Sequence, residues 1–249
     1  MQPPSDAGEP LLPEMATFQP VASLSCAFHD KFGLPRQPDP ATEIRGTVTF
    51  LPGYDRSEMV RGLEGFSHLW LLGIFHRTPW TGATTVRPPR LGGNRRVGVW
   101  ATRAPNRPNS LSLSLVRLLE ISTGPLRLEV AGCDMVDGTP VLDIKPYLPW
   151  CESIPDARSG WATAPPALLE ESSIQFPAPL AEVFGRCGDS RGEILAMLRG
   201  DPRPAYLAGK SAPERIFGAT VAGWNVRWRR FEDRVEVVEF SRLPEGADP

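Results

Sequence analysis

The stretch HLWLLGIF at residues 68–75 carries the strongest fold signal in the chain. It is a continuous apolar run without Asp, Glu, Lys or Arg, which is typical of a β-strand buried on both faces. Outward from it, EIRGTVTF at residues 43–50 alternates small or apolar residues with polar ones, as a half-buried strand does. Glycines and prolines punctuate the region at intervals typical of an all-β barrel or sandwich, so a mainly β fold is predicted. Further short strands are predicted at residues 97–102, 113–121 and 126–133.

The pattern changes after a segment rich in Ala, Pro and Ser. A helix is predicted through residues 193–198, with Asp189 or Ser190 as its N-cap and Gly200 at its end. Residues 224–231 and 235–240 predict a β-hairpin, so that a small C-terminal α+β unit follows the β domain. We therefore expect a leader at residues 1–16, a β-barrel domain at 17–162 with one short helix at 57–62, a linker at 163–182 and the α+β unit at 183–243.

Composition excludes several classes of protein. The chain has 249 residues, 41% hydrophobic and 22% charged, which are ordinary values for a protein with a packed core. Its four cysteines form no CxxC pair and its three histidines lack metal-ligand spacing, so neither a disulfide scaffold nor a metal site is expected. No apolar run reaches the roughly 20 residues that span a membrane. Residues 1–16 lack the features of a signal peptide, so we expect a disordered leader on a cytoplasmic protein.

Charge is segregated along the chain, although the formal net charge is only −2. No Asp or Glu lies between Glu64 and Glu120. Such segregation lets a nearly neutral protein present one positive face to phosphates, and chance clustering on a solvated surface is the alternative. The acid-free tract carries eight arginines: Arg77, Arg87, Arg90, Arg95, Arg96, Arg103, Arg107 and Arg117.

Four segments are unusual for plain connecting loops. In three of them prolines flank arginines, which fixes the backbone and presents the side chains at low entropic cost. The fourth holds three carboxylates, one ammonium group and one phenol. The set favours a polar binding site on rigid loops, and the alternative is that the arginines pair with the carboxylates to stiffen turns. The segments are KFGLPRQP (31–38), VRPPRLGGN (86–94), ATRAPNRPN (101–109) and DMVDGTPVLDIKPY (134–147).

These residues resemble the tRNA (N6-threonylcarbamoyladenosine) methyltransferase family, also called TrmO or TsaA-like. The resemblance covers residues 18–240 with the motifs in the same order. The family's Ser-Pro-aromatic turn is replaced by Cys26-Ala27-Phe28, and Ser112 stands where the family often has glycine. The matching motifs are PRQP (35–38), RGLEGFSHLWLL (61–72), VRPPRLGGN (86–94), VWATRAPNRPN (99–109), DMVDGTPVLDIKPYLP (134–149), DPRPAY (201–206) and NVRW (225–228).

The resemblance implies a homodimeric enzyme that binds S-adenosylmethionine in a single-sheet β-barrel. It implies methylation of N6 of threonylcarbamoyladenosine beside a tRNA anticodon. The cofactor carries a sulfonium cation, which favours carboxylate or carbonyl oxygens, so Asp134 and Asp137 are natural candidates to face it. For His76, a structural role at a strand end is the alternative. The implied cofactor-binding residues are Pro35, Arg36, Gln37, His76, Arg77, Arg103, Leu113, Asp134, Met135, Val136 and Asp137.

Transfer to N6 requires loss of its proton, and a positioned base typically contributes about 10²–10⁴-fold to the rate. Asp137, Asp143 and Tyr147 are candidates for this base, and Lys145 is a candidate to hold a phosphate or the threonyl carboxylate. The alternative for Asp143 and Lys145 is an ion pair that braces the loop.

Contacts with tRNA are expected from arginines, because the phosphates of the anticodon stem-loop are anionic. Trp224 or Trp228 is a candidate to stack a loop base, and the alternative is that both belong to the core. The candidates for phosphate contacts are Arg87, Arg90, Arg95, Arg96, Arg107, Arg203, Arg227, Arg229 and Arg230.

Two other functions remain open. One is a non-catalytic RNA-binding module, which would not bind the cofactor. The other is a small-molecule enzyme that uses the carboxylates for acid–base chemistry on an anionic substrate, with an activity insensitive to RNA and salt. Neither alternative explains the ordered set of motifs.

Overall fold

We describe a computed structural model at residues 17–34, 44–92, 94–165, 167–203, 207 and 210–244. The predicted leader and the cofactor candidates Pro35, Arg36 and Gln37 lie outside these residues. The strands are β1 (Ala22–Cys26), β2 (Arg45–Phe50), β3 (His68–Ile74), β4 (Thr85–Val86), β5 (Val97–Gly98), β6 (Leu111–Thr123), β7 (Leu126–Ala131), β8 (Thr139–Pro146), β9 (Ile174–Gln175), β10 (Ala212–Val221), β11 (Trp224–Arg230) and β12 (Val235–Arg242). The α-helices are α1 (Pro149–Glu152), α2 (Ala178–Gly185) and α3 (Ser190–Arg199), and 3-10 helices occupy Ser57–Val60, Leu63–Gly65, Pro89–Leu91, Val99–Ala101, Pro108–Ser110 and Glu171–Ser173.

One closed antiparallel barrel, in the order β1-β2-β7-β6-β3-β8, forms the N-terminal part of the molecule. Strand β1 pairs with β2 on one side and with β8 on the other, which closes the sheet. Leu24, Val48, Leu71, Leu128 and Val141 fill the interior and are fully buried. The predicted mainly β fold with a single-sheet barrel is confirmed.

Strand β3 is buried on one face only, so the prediction of burial on both faces was wrong. Leu69 and Leu71 are fully buried in the barrel, whereas Trp70 and Leu72 on the alternate face are partly exposed. A barrel has one core, and no second layer within the described residues covers the outside of β3. Strand β3 therefore carries apolar side chains on its partly exposed outer face as well as on its buried inner face.

Strand β6 has an inverted pattern at its beginning. Ser112 and Ser114 point inward and are 4% and 2% exposed, whereas Leu111 and Leu113 point outward and are 42% and 47% exposed. Farther along the strand, Val116 is fully buried, so the interior becomes apolar again. The barrel thus has a polar interior at one end and an apolar outer surface beside it.

Two regions differ from the predicted elements. Only Val97–Gly98 of the strand predicted at 97–102 pairs as a strand, and Val99–Ala101 forms a 3-10 helix. Much of the segment interpreted as a loop at 134–147 is strand β8, which pairs with both β1 and β3. Prolines and charged residues in β8 conceal its strand character in the sequence, and only the pairing partners on both sides reveal it.

The C-terminal unit is a sheet in the order β10-β11-β12-β9 with α2 and α3 beside it. The predicted hairpin and helix are confirmed, with Asp189 at the N-cap position of α3 and Gly200 at its C-cap. Strand β9 pairs with β12 inside the segment expected to be a linker, so the unit begins earlier than predicted. Trp224 and Trp228 are buried in its core, at 9% and 1% exposure, which excludes both from stacking a base.

Candidate cofactor and nucleic-acid site

Asp134 is the central polar group at the end of the barrel where β7 ends and β6 and β8 begin. The Ser114 hydroxyl donates a 2.5 Å hydrogen bond to Asp134 Oδ1 from inside the barrel. Burial raises the pKa of Asp134 to about 6, against the opposing effects of the Ser114 hydrogen bond and the Arg103 charge. A carboxylate whose ionisation is costly in this way is stabilised by an added cation.

Asp137 is held in place by three partners from β1 and the turn after it. The Cys26 amide donates to Asp137 Oδ1 at 3.0 Å, and the Asp137 amide donates to the Phe28 carbonyl at 2.8 Å. His29 Nδ1 lies 3.3 Å from Asp137 Oδ2. Sequence reasoning missed His29, because its only signal is this contact with a residue distant in the chain.

The Cys26 thiol is a structural donor at this site. It donates to the Met135 carbonyl at 3.2 Å, and burial raises its pKa to about 12, so it remains protonated. The side chains of Met135 and Val136 are buried, at 2% and 9% exposure. These two candidates therefore anchor the segment in the core, and Asp134 and Asp137 are the side chains that remain for ligand contacts.

Arg77 and Arg103 bring positive charge to the same end of the barrel. Arg103 donates to the Leu113 carbonyl at 2.6 Å, and Arg77 donates to the His29 carbonyl. Both arginines are exposed, as is His76 at the end of β3. The structure thus assembles the described cofactor candidates from four separate segments around one barrel end.

This set of groups fits S-adenosylmethionine. Asp134 and Asp137 provide negative charge suited to a sulfonium, and Arg77 and Arg103 provide cations suited to a carboxylate. Among the described residues, no cluster of three or more His, Cys, Asp or Glu is arranged to hold a metal ion. No helix in the described segments is long and apolar enough to cross a membrane.

The four catalytic candidates do not meet within one chain. Tyr147 follows the far end of β8, where its amide donates to the His68 carbonyl at the start of β3. At about 3.3 Å per residue, the strand separates Tyr147 from Thr139 at the site end by more than about 20 Å. The path of β8 therefore keeps Tyr147 and Lys145 away from Asp137 within one chain.

Asp143 and Lys145 form an ion pair, with Lys145 Nζ 2.9 Å from Asp143 Oδ2. The pair lies on the outer surface of β8, with side-chain exposures of 48% and 63%. Tyr147 packs edge-on against Trp70, with ring centroids 6.0 Å apart. Asp143 and Lys145 thus form the ion pair that was the alternative to a catalytic role. The pair lies on the same outer surface as the exposed leucines of β6.

The arginines predicted to contact tRNA fall into two groups. Those of the acid-free tract lie on loops beside the barrel, where Arg96 donates to Thr85 Oγ1 at 3.1 Å and Arg107 to the Thr102 carbonyl at 3.0 Å. Within this group Arg107 is partly buried, and the exposed members are Arg87, Arg90, Arg95 and Arg96.

Three of the four candidate arginines of the C-terminal unit, Arg203, Arg227 and Arg230, bind other groups of that unit. Arg203 is 1% exposed and its Nε lies 2.6 Å from Asp201 Oδ1, so the prediction that it contacts tRNA was wrong. Arg230 is 7% exposed and donates to the Arg234 carbonyl, which excludes it for the same reason. On the exposed surface, Arg227 pairs with Glu239 at 2.7 Å. Arg229 lies opposite Glu236 in the hairpin.

The C-terminal unit packs on the turn that follows β1. The Ala222 amide donates to the Ala27 carbonyl at 2.9 Å, and the rings of Phe32 and Trp228 stack with centroids 6.3 Å apart. Gly33 has φ +90°, and a Cβ there would lie 3.0 Å from Met197 Sδ. The turn that carries His29 is therefore held between the barrel and the C-terminal unit.

Comparison with known proteins identifies relatives along nearly the whole chain. The model of the tRNA-methyltransferase O N-terminal domain matches residues 23–153, and that of the TrmO C-terminal domain matches residues 176–243. The tRNA (adenine(37)-N6)-methyltransferase of Escherichia coli is 40% identical over 88% of this chain and 95% of its own length. A putative S-adenosylmethionine-dependent methyltransferase of Pseudomonas aeruginosa is 44% identical over 84% of this chain and 90% of its own.

A crystal structure of TrmO from Pseudomonas aeruginosa has the same fold. It superposes with a TM-score of 0.75 at 33% identity, covering 94% of this chain and all of that one. With both domain models matched in order, a shared fold and relatives of at least 40% identity, the chain belongs to the tRNA-methyltransferase O family.

Proposed function

We propose that this protein uses S-adenosylmethionine to methylate N6 of threonylcarbamoyladenosine at position 37 of tRNA, beside the anticodon. The observation that carries the proposal is the barrel end that combines Asp134 and Asp137 with Arg77 and Arg103. The names of the relatives support the cofactor and the tRNA adenine as substrate. Because the substrate is tRNA, we place the protein in the cytoplasm as part of this proposal.

The cofactor supplies the methyl group, and the chain's residues supply position and charge. Asp134 would offer negative charge to the sulfonium, and Arg103 and Arg77 would hold anionic groups of the cofactor. Holding nucleophile and methyl carbon in line contributes on the order of 7–11 kcal/mol to the barrier reduction. Arg87, Arg90, Arg95 and Arg96 hold the phosphates of the anticodon stem-loop, because they are exposed in a tract without carboxylates.

We propose further that the protein acts as a homodimer through the outer surface of β3, β6 and β8. Leu111 and Leu113 are exposed there, beside the partly exposed Trp70 and Leu72. A large exposed apolar surface on a globular protein marks a contact with a partner. In a two-fold contact with the strands antiparallel, Tyr147 and Lys145 of one chain approach the Asp137 end of the other, which would unite the catalytic candidates.

Calorimetric titration with S-adenosylmethionine tests the cofactor site. We expect micromolar binding that Arg103→Ala weakens at least about tenfold, since a charge-assisted contact contributes about 1.5–3 kcal/mol. Arg186→Ala is the matched control, because Arg186 is exposed in the C-terminal unit and pairs with Glu182. Methyl transfer to threonylcarbamoylated tRNA is measured in parallel. Binding of tRNA without any cofactor binding would favour the RNA-binding module, and cofactor-dependent activity indifferent to RNA would favour the small-molecule enzyme.

A further inference from the structure

Trp100 presents its ring to solvent in the middle of the acid-free tract. Trp100 is 71% exposed, whereas Trp224 and Trp228 are buried. An exposed indole leaves a large apolar surface in water, and such surfaces are concentrated at sites that bind a partner.

The backbone on both sides of Trp100 is fixed. Val99 is 5% exposed, and its amide donates to the Thr84 carbonyl at 3.0 Å. The Thr102 amide closes the 3-10 turn on the Val99 carbonyl at 3.1 Å, and the Trp161 indole donates to the Ala101 carbonyl at 2.9 Å. The exposure of Trp100 is therefore a feature of a braced turn.

One cationic group, the guanidinium of Arg107, lies over the ring. The Arg107 guanidinium carbon lies over the Trp100 ring, 5.6 Å from its centroid, and a hydrogen bond to the Thr102 carbonyl fixes Arg107. Arg103, which binds the Leu113 carbonyl at the candidate cofactor site, follows three residues later in the chain. An exposed aromatic face with an arginine behind it, in a stretch of sequence without Asp or Glu, suits a flat base attached to an anionic backbone, which describes an unpaired nucleotide.

We propose that Trp100 stacks an unpaired base of the tRNA, with Arg107 on the opposite side of the indole. This inference rests on the proposed function, because it assigns a contact within the same substrate. The stacked base lies near the reacting nucleotide, since Arg103 links this turn to the cofactor end of the barrel. Trp100 thereby selects looped RNA over duplex RNA, in which the bases are not available for stacking.

The test is the affinity for an anticodon stem-loop RNA, measured by fluorescence anisotropy with a labelled RNA. Trp100→Ala should raise Kd about 5- to 150-fold, which corresponds to the about 1–3 kcal/mol that a base stacked on an aromatic residue contributes. Trp100→Phe should retain most of the affinity. The dependence of log K on log salt should keep its slope in Trp100→Ala, because no phosphate contact is lost. Kd for a blunt duplex of the same length should be unchanged.

Trp150→Ala is the matched control, because Trp150 is 83% exposed but lies outside the acid-free tract. Its RNA affinity should equal that of the wild type, and S-adenosylmethionine affinity should be unchanged in both alanine variants. Suppose that the wild type methylates tRNA and that Trp100→Ala binds the stem-loop as tightly as the wild type does. The stacking proposal is then overturned, while the proposed function stands. A wild-type protein that neither binds nor methylates tRNA overturns the proposed function itself. An altered sedimentation coefficient in Trp100→Ala would assign the ring to a contact between copies and would also overturn the proposal.

Discussion

Asp134 has a buried carboxyl group at the proposed cofactor site. Its folded-state pKa, about 6, is higher than the ordinary value of 3.8. The folded protein therefore binds this proton more tightly than the unfolded chain, and this group's contribution to stability falls as pH rises from about 4 through 6. At neutral pH the ionised carboxylate lowers the stability of the folded protein, and in the proposed complex a bound sulfonium would offset that cost.

We predict that the affinity for S-adenosylmethionine weakens below pH 6. If only ionised Asp134 faces the sulfonium, Kd rises up to about tenfold per pH unit. S-adenosylhomocysteine has a neutral sulfur and serves as the control, because it responds to the same surrounding groups without the sulfonium charge. Calorimetry of both ligands between pH 5 and 8 measures the ratio of their Kd values. Asp134→Asn should make that ratio independent of pH, and a ratio that is already constant in the wild type would refute the role of Asp134.

Gly73 and Ser112 approach each other closely across two paired strands of the barrel. Ser112 lies opposite Gly73 in the β3–β6 ladder. A Cβ on Gly73 would lie 2.9 Å from both Ser112 Oγ and the Pro140 carbonyl oxygen. The absence of a side chain at Gly73 therefore makes room for the hydroxymethyl group of Ser112.

Gly73→Ala should lower the free energy of unfolding by about 1–3 kcal/mol, because it overpacks this contact. Adding Ser112→Gly removes one of the two close contacts, so the double variant should recover part of the loss. Thermal or urea unfolding measures the coupling between the two sites. Gly98→Ala is the control, since a Cβ there meets open space. Strict additivity of the two substitutions would contradict direct packing of Ser112 on Gly73.

At the scale of elements, the turn after β1 depends on the C-terminal unit. Phe32 stacks on Trp228, and the same turn carries His29, which contacts Asp137. The turn leads directly into Pro35, Arg36 and Gln37, the remaining cofactor candidates. The C-terminal unit is therefore expected to influence cofactor affinity without a direct contact.

We predict that Phe32→Leu raises Kd for S-adenosylmethionine about tenfold, equivalent to about 1.4 kcal/mol. Affinity for stem-loop RNA should change much less, because the exposed arginines lie on other loops. Phe176→Leu is the matched control, since Phe176 stacks on Phe184 inside the C-terminal unit with centroids 4.1 Å apart. Both variants should lose stability, and only Phe32→Leu should lose cofactor affinity. Equal cofactor affinity in the two variants would assign Phe32 a purely structural role.

At the scale of the molecule, the path of β8 separates the candidate residues of one chain, and the proposed dimer reunites them. Asp137→Asn and Tyr147→Phe should each reduce single-turnover methyl transfer, by about 10²–10⁴-fold for the residue that acts as the base. If both variants are nearly inactive and equal amounts of the two chains are refolded together or co-expressed, half of the dimers are mixed and each of these contains one intact shared site. About a quarter of the wild-type activity should return, as expected for a two-fold contact.

Asp137→Asn mixed with Arg103→Ala is the control for this complementation. Both residues lie at the same end of one barrel, so no intact site forms in the mixed dimer. If activity also fails to return when Asp137→Asn is mixed with Tyr147→Phe, each site lies within one chain. Sedimentation of Leu111→Asp, which introduces a charge into the exposed apolar surface, measures whether that surface holds the dimer together.

Local patterns in the sequence determined the helix α3, the hairpin β11–β12 and those strands that have a clearly alternating or continuous apolar pattern. The motifs identified the family, and the uneven charge located the exposed arginines. Local patterns did not determine which residues are buried or which distant segments pair with each other. Strand β8 becomes a strand because β1 and β3 pair with it, Arg203 and Arg230 become core residues because the C-terminal sheet closes over them, and His29 meets Asp137 only when the barrel closes.

The orientation of β6 shows the same division. Its alternating leucines and serines predict a strand, but period two alone does not say which set points inward. The barrel turns Ser112 and Ser114 inside, where Ser114 binds Asp134, and leaves Leu111 and Leu113 outside. The sequence by itself thus determined that the chain is a β-barrel of this family with a basic tract. The tertiary structure decided which residues form the site and which form the outer surface, because burial and long-range hydrogen bonds exist only after the sheet has closed.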